Sequence, residues 1–261
     1  MPTGRNSIKN SVLAEQARMH VEFMEQEFAG ETESAVRDSV IYGGPDRDPA
    51  HRQGRGCRQS FLNTDSVSAA IRLQNAGGGK VAILNFADYT RPGGIYLRGG
   101  NAQEENLCME SNLFNILSHA GLSGYYEYNK GNRNRDLYTD RAIYTPGVVF
   151  LREGKEYRFD VLTCAAPNKA VAGRYQHVKT EENHEAMKAR VSFMRDVAED
   201  QNVDVLIAGA WGCGAFGQPP TMVAGWLKYA FLTSGVKKVV YAVPSKNGEN
   251  ANTRAFRKFF E

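Results

Sequence analysis

Two adjacent glutamates, Glu104 and Glu105, close a run of glycines in the stretch Asn85 to Leu107 (NFADYTRPGGIYLRGGNAQEENL). The apolar run Lys80 to Phe86 has the composition of a strand, and the loop after it is built on Gly93, Gly94, Gly99 and Gly100. Such glycines let backbone amides come close to an anion, because no Cβ intervenes. Gln103, Glu104 and Glu105 then open a helix. Acids in a first helical turn complement the macrodipole, which alone would account for an isolated Glu-Glu. Beside an anion-binding loop, carboxylates add nothing to phosphate binding, so the pair points to chemistry. Neighbouring carboxylates repel, which tends to keep one protonated near neutral pH. A carboxyl group with a raised pKa can donate a proton and afterwards, as carboxylate, activate water.

A second glycine loop, Leu206 to Gln218 (LIAGAWGCGAFGQ), follows another apolar run and carries a formal G-x-G-x-x-G at Gly212, Gly214 and Gly217. A dinucleotide fold wants an acid at the end of the following strand. Here that run, Lys237 to Val243, ends in Pro244-Ser245, and only one further helix remains. The Rossmann reading fails, and a loop whose amides hold a diphosphate remains. Cys213 lies inside it with no His readable as a base, which argues against a nucleophilic thiol. Cys57, Cys108, Cys164 and Cys213 are too dispersed for a zinc site or a disulfide framework. No metal or redox cofactor is expected.

The first stretch resembles the signature of microbial-type poly(ADP-ribose) glycohydrolases: a proline, three glycines, a short spacer, then Gln-Glu-Glu. Pro92, Gly93, Gly94 and Gln103-Glu104-Glu105 match at the family spacing, while Ile95 stands where the third glycine belongs. Asp160 to Asn168 (DVLTCAAPN) resembles the family's strand ending in Ala-Ala-Pro-Asn, and the second glycine loop resembles its second phosphate loop. The resemblance implies hydrolysis of ribose–ribose glycosidic bonds with release of ADP-ribose. It makes Glu105 the general acid/base and Glu104 its orienting neighbour. It also implies an ADP-ribose site formed by Asn85, Gly93, Gly94, Gln103, Gly212, Cys213, Gly214, Ala215 and Phe216, with Phe216 against adenine or ribose. Asn168 is read as structural. The β-branched Ile95 disfavours positive φ, and a narrowed or distorted diphosphate loop is one expected consequence. A binding module without catalysis, or a hydrolase of another ADP-ribosyl linkage, are the rival readings.

These residues need strands to hold them. Ser11 to Phe28 has helical period, with Gly30 as its stop. Asp46 to Arg58 reads as a solvated loop, including Arg52, Arg55 and Arg58. Strands are expected at Gln59 to Asn63, Val81 to Phe86, Ile143 to Leu151, Phe159 to Ala165, Val203 to Ala208 and Lys237 to Val243. Helices are expected from a Thr64-Asp65-Ser66 cap to about Asn75, from Gln103 through Phe114 to a stop at Gly121, and over Glu181–Asp200, Pro219–Thr233 and Asn252–Phe260. Tyr125 to Arg141, polar and aromatic, reads as a long functional loop. Alternating strands and helices argue for a three-layer α/β/α fold. The resemblance makes it a macrodomain with a mixed central sheet, residues 51–261, carrying a helical extension, residues 1–50.

The 261 residues suffice for one such domain, at 42% hydrophobic, 23% charged and a net charge of +3. The mild positive charge suits an anionic ligand without implying a nucleic-acid groove. No signal-peptide or membrane-length apolar run is visible, so a cytoplasmic monomer is expected. Its implied partners are poly(ADP-ribose) or ADP-ribosylated macromolecules, with no membrane and no sequence-specific nucleic acid.

Overall fold

Strands covered on both faces read as unbroken apolar runs, and residues 81–84 and 205–208 of this chain do so. The computed structural model describes residues 4–54, 56–245 and 248–261. Its sheet contains β1 (Val40–Tyr42), β2 (Arg58–Leu62), β3 (Val81–Phe86), β4 (Ala142–Arg152), β5 (Lys155–Cys164), β6 (Val205–Ala208) and β7 (Lys238–Ala242). Their order is β1-β4-β5-β3-β6-β7-β2. The two pairings at the β1 end, with β4 and between β4 and β5, are antiparallel; those from β5 to β2 are parallel. The sheet is thus mixed, as expected.

Alternate residues of each strand feed two cores. Ala82, Leu84, Leu206, Ala208, Val239 and Tyr241 face one layer. It is built from α8 (Thr180–Asp200), α9 (Pro220–Ala230) and α10 (Ala251–Phe260). Val81, Ile83, Val205, Ile207 and Val240 face the other. That layer holds α1 (Gly4–Glu27), α2 (Ala29–Asp38), α3 (Ser66–Asn75), α4 (Gln103–Met109), α5 (Leu113–Leu117) and α6 (Ser123–Gly131). The short α7 (Lys169–Tyr175) follows β5. The result is a three-layer, macrodomain-like sandwich.

Three sequence expectations are corrected. Gly30 does not end the N-terminal helical segment: it lies in the first turn of α2, after a kink at Phe28 (φ −129°). Thr32 and Ala35 carry the apolar period onward, and both are buried. The helix expected from Gln103 to Gly121 is broken at Glu110–Asn112. There the chain leaves the helix to pair with the edge of β4: Asn112 N–H donates to Val149 O at 3.2 Å, and Leu151 N–H to Glu110 O at 2.7 Å. Finally, Tyr125 to Arg141 is not all loop. Its first half belongs to α6, which buries Tyr125, Tyr126 and Asn129 on one side. Arg52 and Arg58 sit at the far β2 edge, Arg52 donating to Asn202; Arg55 lies outside the described residues.

The N-terminal extension is fastened to the loop that precedes α4. Tyr96, buried in a 3-10 turn spanning Tyr96–Arg98, donates its hydroxyl to Ala17 O at 3.5 Å. His20 Nε2 meets Ser111 O at 3.1 Å, and Asn115 Nδ2 donates to Val21 O at 3.0 Å. At the turn's end Gly99 (φ +79°) passes so close to α1 that a Cβ there would lie 2.0 Å from Asn10 O. β1, at the extension's other end, adds a strand to the sheet. Gly99→Ala combines left-handed backbone with a steric clash and should lose about 2–4 kcal/mol of stability. Urea unfolding measures this; a change under about 0.5 kcal/mol, the range of an ordinary surface substitution, would mean that α1 is not seated there.

Candidate active site

The ends of β3, β5 and β6 lie side by side, and a loop leaves each of them. From β3 the chain enters an Asx-type turn, in which Asp88 Oδ1 accepts from Thr90 N–H at 2.8 Å and Arg91 N–H at 3.1 Å. Gly93 and Gly94 follow at φ +62° and +60°, two consecutive left-handed residues that favour glycine. Space demands glycine as well. A Cβ on Gly93 would meet the Phe114 ring at 2.7 Å, and one on Gly94 would meet Glu105 Oε1 at 2.7 Å and Glu104 Oε2 at 3.0 Å. The loop backbone therefore lies directly against both carboxyl groups.

Ile95, standing at the third-glycine position, has φ −112° and ψ 28°. That is ordinary backbone for an L-residue, so no positive φ is forced on the isoleucine. Its N–H donates to Glu105 Oε1 at 3.0 Å, and Ala102 N–H donates to Glu105 Oε2 at 3.0 Å. Glu105 is thus held at both oxygens by backbone amides from the two ends of the loop. The Ala102 bond is also the capping interaction expected of an acid in a first turn; helix stabilisation and site geometry coincide.

Glu104 is held differently. Its Oε1 accepts from Asn85 Nδ2 at 3.2 Å and its Oε2 from Asp88 N–H at 2.7 Å. Asn85 also donates to Thr163 Oγ1 at 3.3 Å, while its own Oδ1, fully buried, has no partner. Gln103 turns away from the carboxyl groups. Its Oε1 accepts from Phe86 N–H at 2.8 Å and its Nε2 donates to Leu84 O at 2.9 Å, which fastens the start of α4 to β3. Glu104 and Glu105 are only 3% and 6% exposed. Burial pushes the Glu104 carboxyl well above its usual range; the Asp88 N–H and Asn85 bonds oppose this, and the charges of Asp88 and Glu105 add to it.

The second loop leaves β6. Gly212 (φ +75°) packs where a Cβ would meet Ala166 at 2.9 Å, and Gln218 N–H closes the turn on Gly212 O at 3.0 Å. Gln218 Nε2 donates to Pro167 O at 2.9 Å, and Ala170 N–H to Phe216 O at 3.0 Å. These bonds tie the loop to the Ala-Ala-Pro-Asn segment after β5. Asn168 there caps α7 by accepting from Val171 N–H at 3.1 Å, a structural role as expected. Gly214 and Ala215 are exposed, Gly214 with open space where a Cβ would stand. Cys213 is half-buried, and burial pushes its thiol up to about 12, which keeps it a thiol. Phe216, also half-buried, packs among Ala87, Tyr89, Tyr138 and Ala165, which brings the second loop to the first.

Asn85, Gly93, Gly94, Gln103, Glu104 and Glu105 thus converge at one place, and Gly212 to Phe216 form the adjoining loop. Sequence reasoning missed Asp88, whose N–H holds Glu104, and Thr163, which holds Asn85. Asp88 had a signal in its Asp-x-Thr turn spacing; Thr163 had only its place in a matched strand.

A mixed α/β/α sandwich with two glycine loops at neighbouring strand ends and a buried carboxyl pair defines a macrodomain-like hydrolase site. Residues 9–153, more than half the chain, match the family described as microbial-type PARG, catalytic domain, PARG being poly(ADP-ribose) glycohydrolase. The chain belongs to this family. It is similar over 96% of its length to all of a Thermomonospora curvata poly(ADP-ribose) glycohydrolase bound to the inhibitor ADP-HPD, at 28% identity and a TM-score of 0.83. A Deinococcus radiodurans poly(ADP-ribose) glycohydrolase in complex with ADP-ribose is 26% identical, with 87% of this chain and 96% of that one covered and a TM-score of 0.76. No curated protein sequence matches.

Two outcomes follow from this geometry. A carboxyl with a raised folded-state pKa contributes stability that is fully present below its unfolded value of 4.5 and is lost as pH rises through the folded value. Glu104→Gln removes that titration, so its melting temperature should fall less than the parent's between pH 4.5 and pH 8. Identical pH profiles for the two proteins would contradict the assignment. Ile95→Gly relieves no positive φ and adds freedom to the unfolded loop, so it should cost about 0.5–1 kcal/mol of stability. Calorimetry with ADP-ribose should show unchanged or weaker binding; tighter binding would mean that the Ile95 side chain obstructs the ligand.

Proposed function

We propose that this chain cleaves ribose–ribose O-glycosidic bonds of poly(ADP-ribose), releasing ADP-ribose, with Glu105 as the general acid/base. The observation that carries the assignment is the pair of backbone N–H groups, from Ile95 and Ala102, on the two oxygens of Glu105. Glycoside cleavage passes through an oxocarbenium-like state in which the leaving oxygen needs a proton. Glu105 delivers that proton as the C–O bond breaks, and the two N–H groups stabilise the carboxylate that results. The carboxylate then takes a proton from the water that attacks the anomeric carbon, which restores Glu105 and completes the hydrolysis. Glu104, whose carboxyl burial pushes above its usual range, orients the sugar, itself held by the Asn85 amide and the Asp88 N–H.

The diphosphate is assigned to the two loops at Gly93–Gly94 and Gly212–Ala215, in which Gly94 N–H already donates to Arg91 O at 3.2 Å and Cys213 N–H to Ala210 O at 3.1 Å, and Phe216 to the adenine or ribose face. Gln103 contributes by holding α4 against β3. The ordinary φ of Ile95 removes the reason for favouring a purely binding module. Action as a monomer is part of the proposal. Among the described residues no helix is long and apolar enough to cross a membrane, and the cytoplasm is the proposed location.

Glu105→Gln should still bind ADP-ribose yet lose about 10²–10⁴-fold in turnover of polymer, the usual contribution of a general acid–base group. Free ADP-ribose released from purified polymer is the measurement. Turnover within tenfold of the parent would remove Glu105 from the mechanism.

A further inference from the structure

The segment between α6 and β4 holds an unusual backbone. Asn134, Arg135, Asp136 and Tyr138 have φ of +46°, +52°, +63° and +63°, four left-handed residues of which none is glycine. Each such residue carries a Cβ penalty of roughly 1–2 kcal/mol, less for Asn and Asp. Conformations of this kind persist only where the surroundings impose them.

The surroundings are specific here. Arg133 pairs with the buried Asp136 at 2.5 Å, and Asp136 O accepts from Asn168 N–H at 2.9 Å. Asn134 Nδ2 donates to Tyr138 O at 3.2 Å. From α8 the fully buried Arg190 reaches across to Asp140 at 2.6 Å, to Leu137 O at 3.4 Å and to Ala165 O at the end of β5. A buried cation shared between the segment and a strand end fixes the segment's height above the sheet.

This apparatus delivers one side chain to the site. The Tyr138 ring stacks on Tyr89, centroids 4.2 Å apart and planes 10° apart, and meets Phe216 edge-on at 6.2 Å and 64°. Tyr89 is itself anchored, its hydroxyl 2.6 Å from Thr139 Oγ1, and it follows Asp88, whose N–H holds Glu104. The three rings therefore run from the carboxyl pair to the second loop. Among the described residues, Tyr138 is the ring that forms an aromatic pair with each of the other two.

We infer that Tyr138 is a positioning residue for the reaction: it backs Phe216 and sets the distance between that ring and the Glu104–Glu105 pair, and so the fit of the terminal ADP-ribose unit. The inference rests on the proposed reading of Phe216 as a ligand-facing residue. Tyr138 does not touch the reacting atoms; it acts through Phe216.

A double-mutant cycle on ADP-ribose affinity tests it, with calorimetry for Kd and melting curves run alongside. Phe216→Ala should weaken binding by about fivefold to a hundredfold, the scale of one lost stacking contact. Tyr138→Leu, which keeps apolar bulk but loses the ring, should weaken it by about two- to tenfold, the scale of one aromatic pair. Tyr138→Phe should restore parental affinity. In the Phe216→Ala background, Tyr138→Leu should have no further effect on Kd. If Tyr138→Leu lowers only the melting temperature while Phe216→Ala weakens binding, Tyr138 is a core residue and this inference fails, the functional reading standing. Independent, additive losses also overturn it. If Phe216→Ala binds ADP-ribose normally, the ligand pose itself is wrong and the inference falls with it. Should Tyr138→Leu not fold, Tyr138→His, with a smaller ring, takes its place in the same cycle.

Discussion

The site depends on one close approach: the backbone of Gly94 lies against the carboxyl groups of Glu104 and Glu105. Any Cβ on Gly94 would come within 3.0 Å of both side chains, so the loop can close over the pair only at the cost of having no side chain there. Closure brings the Ile95 N–H onto one Glu105 oxygen while the Ala102 N–H holds the other. It also shields the pair from water, which is what drives the Glu104 pKa upward. One steric fact thus sets the orientation of one carboxyl and raises the pKa of its neighbour. The burial costs free energy above the unfolded pKa of Glu104, as expected where a fold gives up stability to preorganise a site.

That loop is in turn held by elements far apart in sequence. Gln103 fastens α4 to β3, Asn112 joins the start of α5 to β4, and α1 covers Tyr96 and the turn at Gly99. The parallel order β5-β3-β6 places three loop-bearing strand ends together, the arrangement in which α/β sheets gather ligands. The N-terminal helices are therefore part of what positions the first glycine loop, as well as a cover for one sheet face.

The strands were legible because burial on both faces demands uninterrupted apolar runs, and Val81–Phe86 and Val205–Ala208 carry them. The carboxyl pair and both glycine loops were legible because left-handed backbone and close approach leave few alternatives to glycine. Three features escaped. The break after α4 is made by Asn112 pairing with Val149, a residue 37 positions away that no local pattern announces. α6 is rich in Tyr, Asn and Gly, so its helical burial of Tyr125, Tyr126 and Asn129 was masked by weak helix propensity. The left-handed residues among Asn134, Arg135, Asp136 and Tyr138 are held by Arg190 on Leu137 O and by Asn168 N–H on Asp136 O, tertiary contacts invisible to a reading by spacing.

Ile95 shows what a glycine motif encodes. Three letters in a row suggest three equal requirements, but this chain separates them. Gly93 and Gly94 are needed for positive φ and for room beside Phe114 and the carboxyl groups. The third position needs only an N–H aimed at Glu105, and it supplies this at φ −112°. A β-branched residue satisfies that demand, and Ile95 is 44% exposed. The constraint at this position is therefore on a backbone donor and not on side-chain size. A proline there would remove the N–H and with it one of the two bonds that define the Glu105 carboxylate, whereas many other residues would keep it.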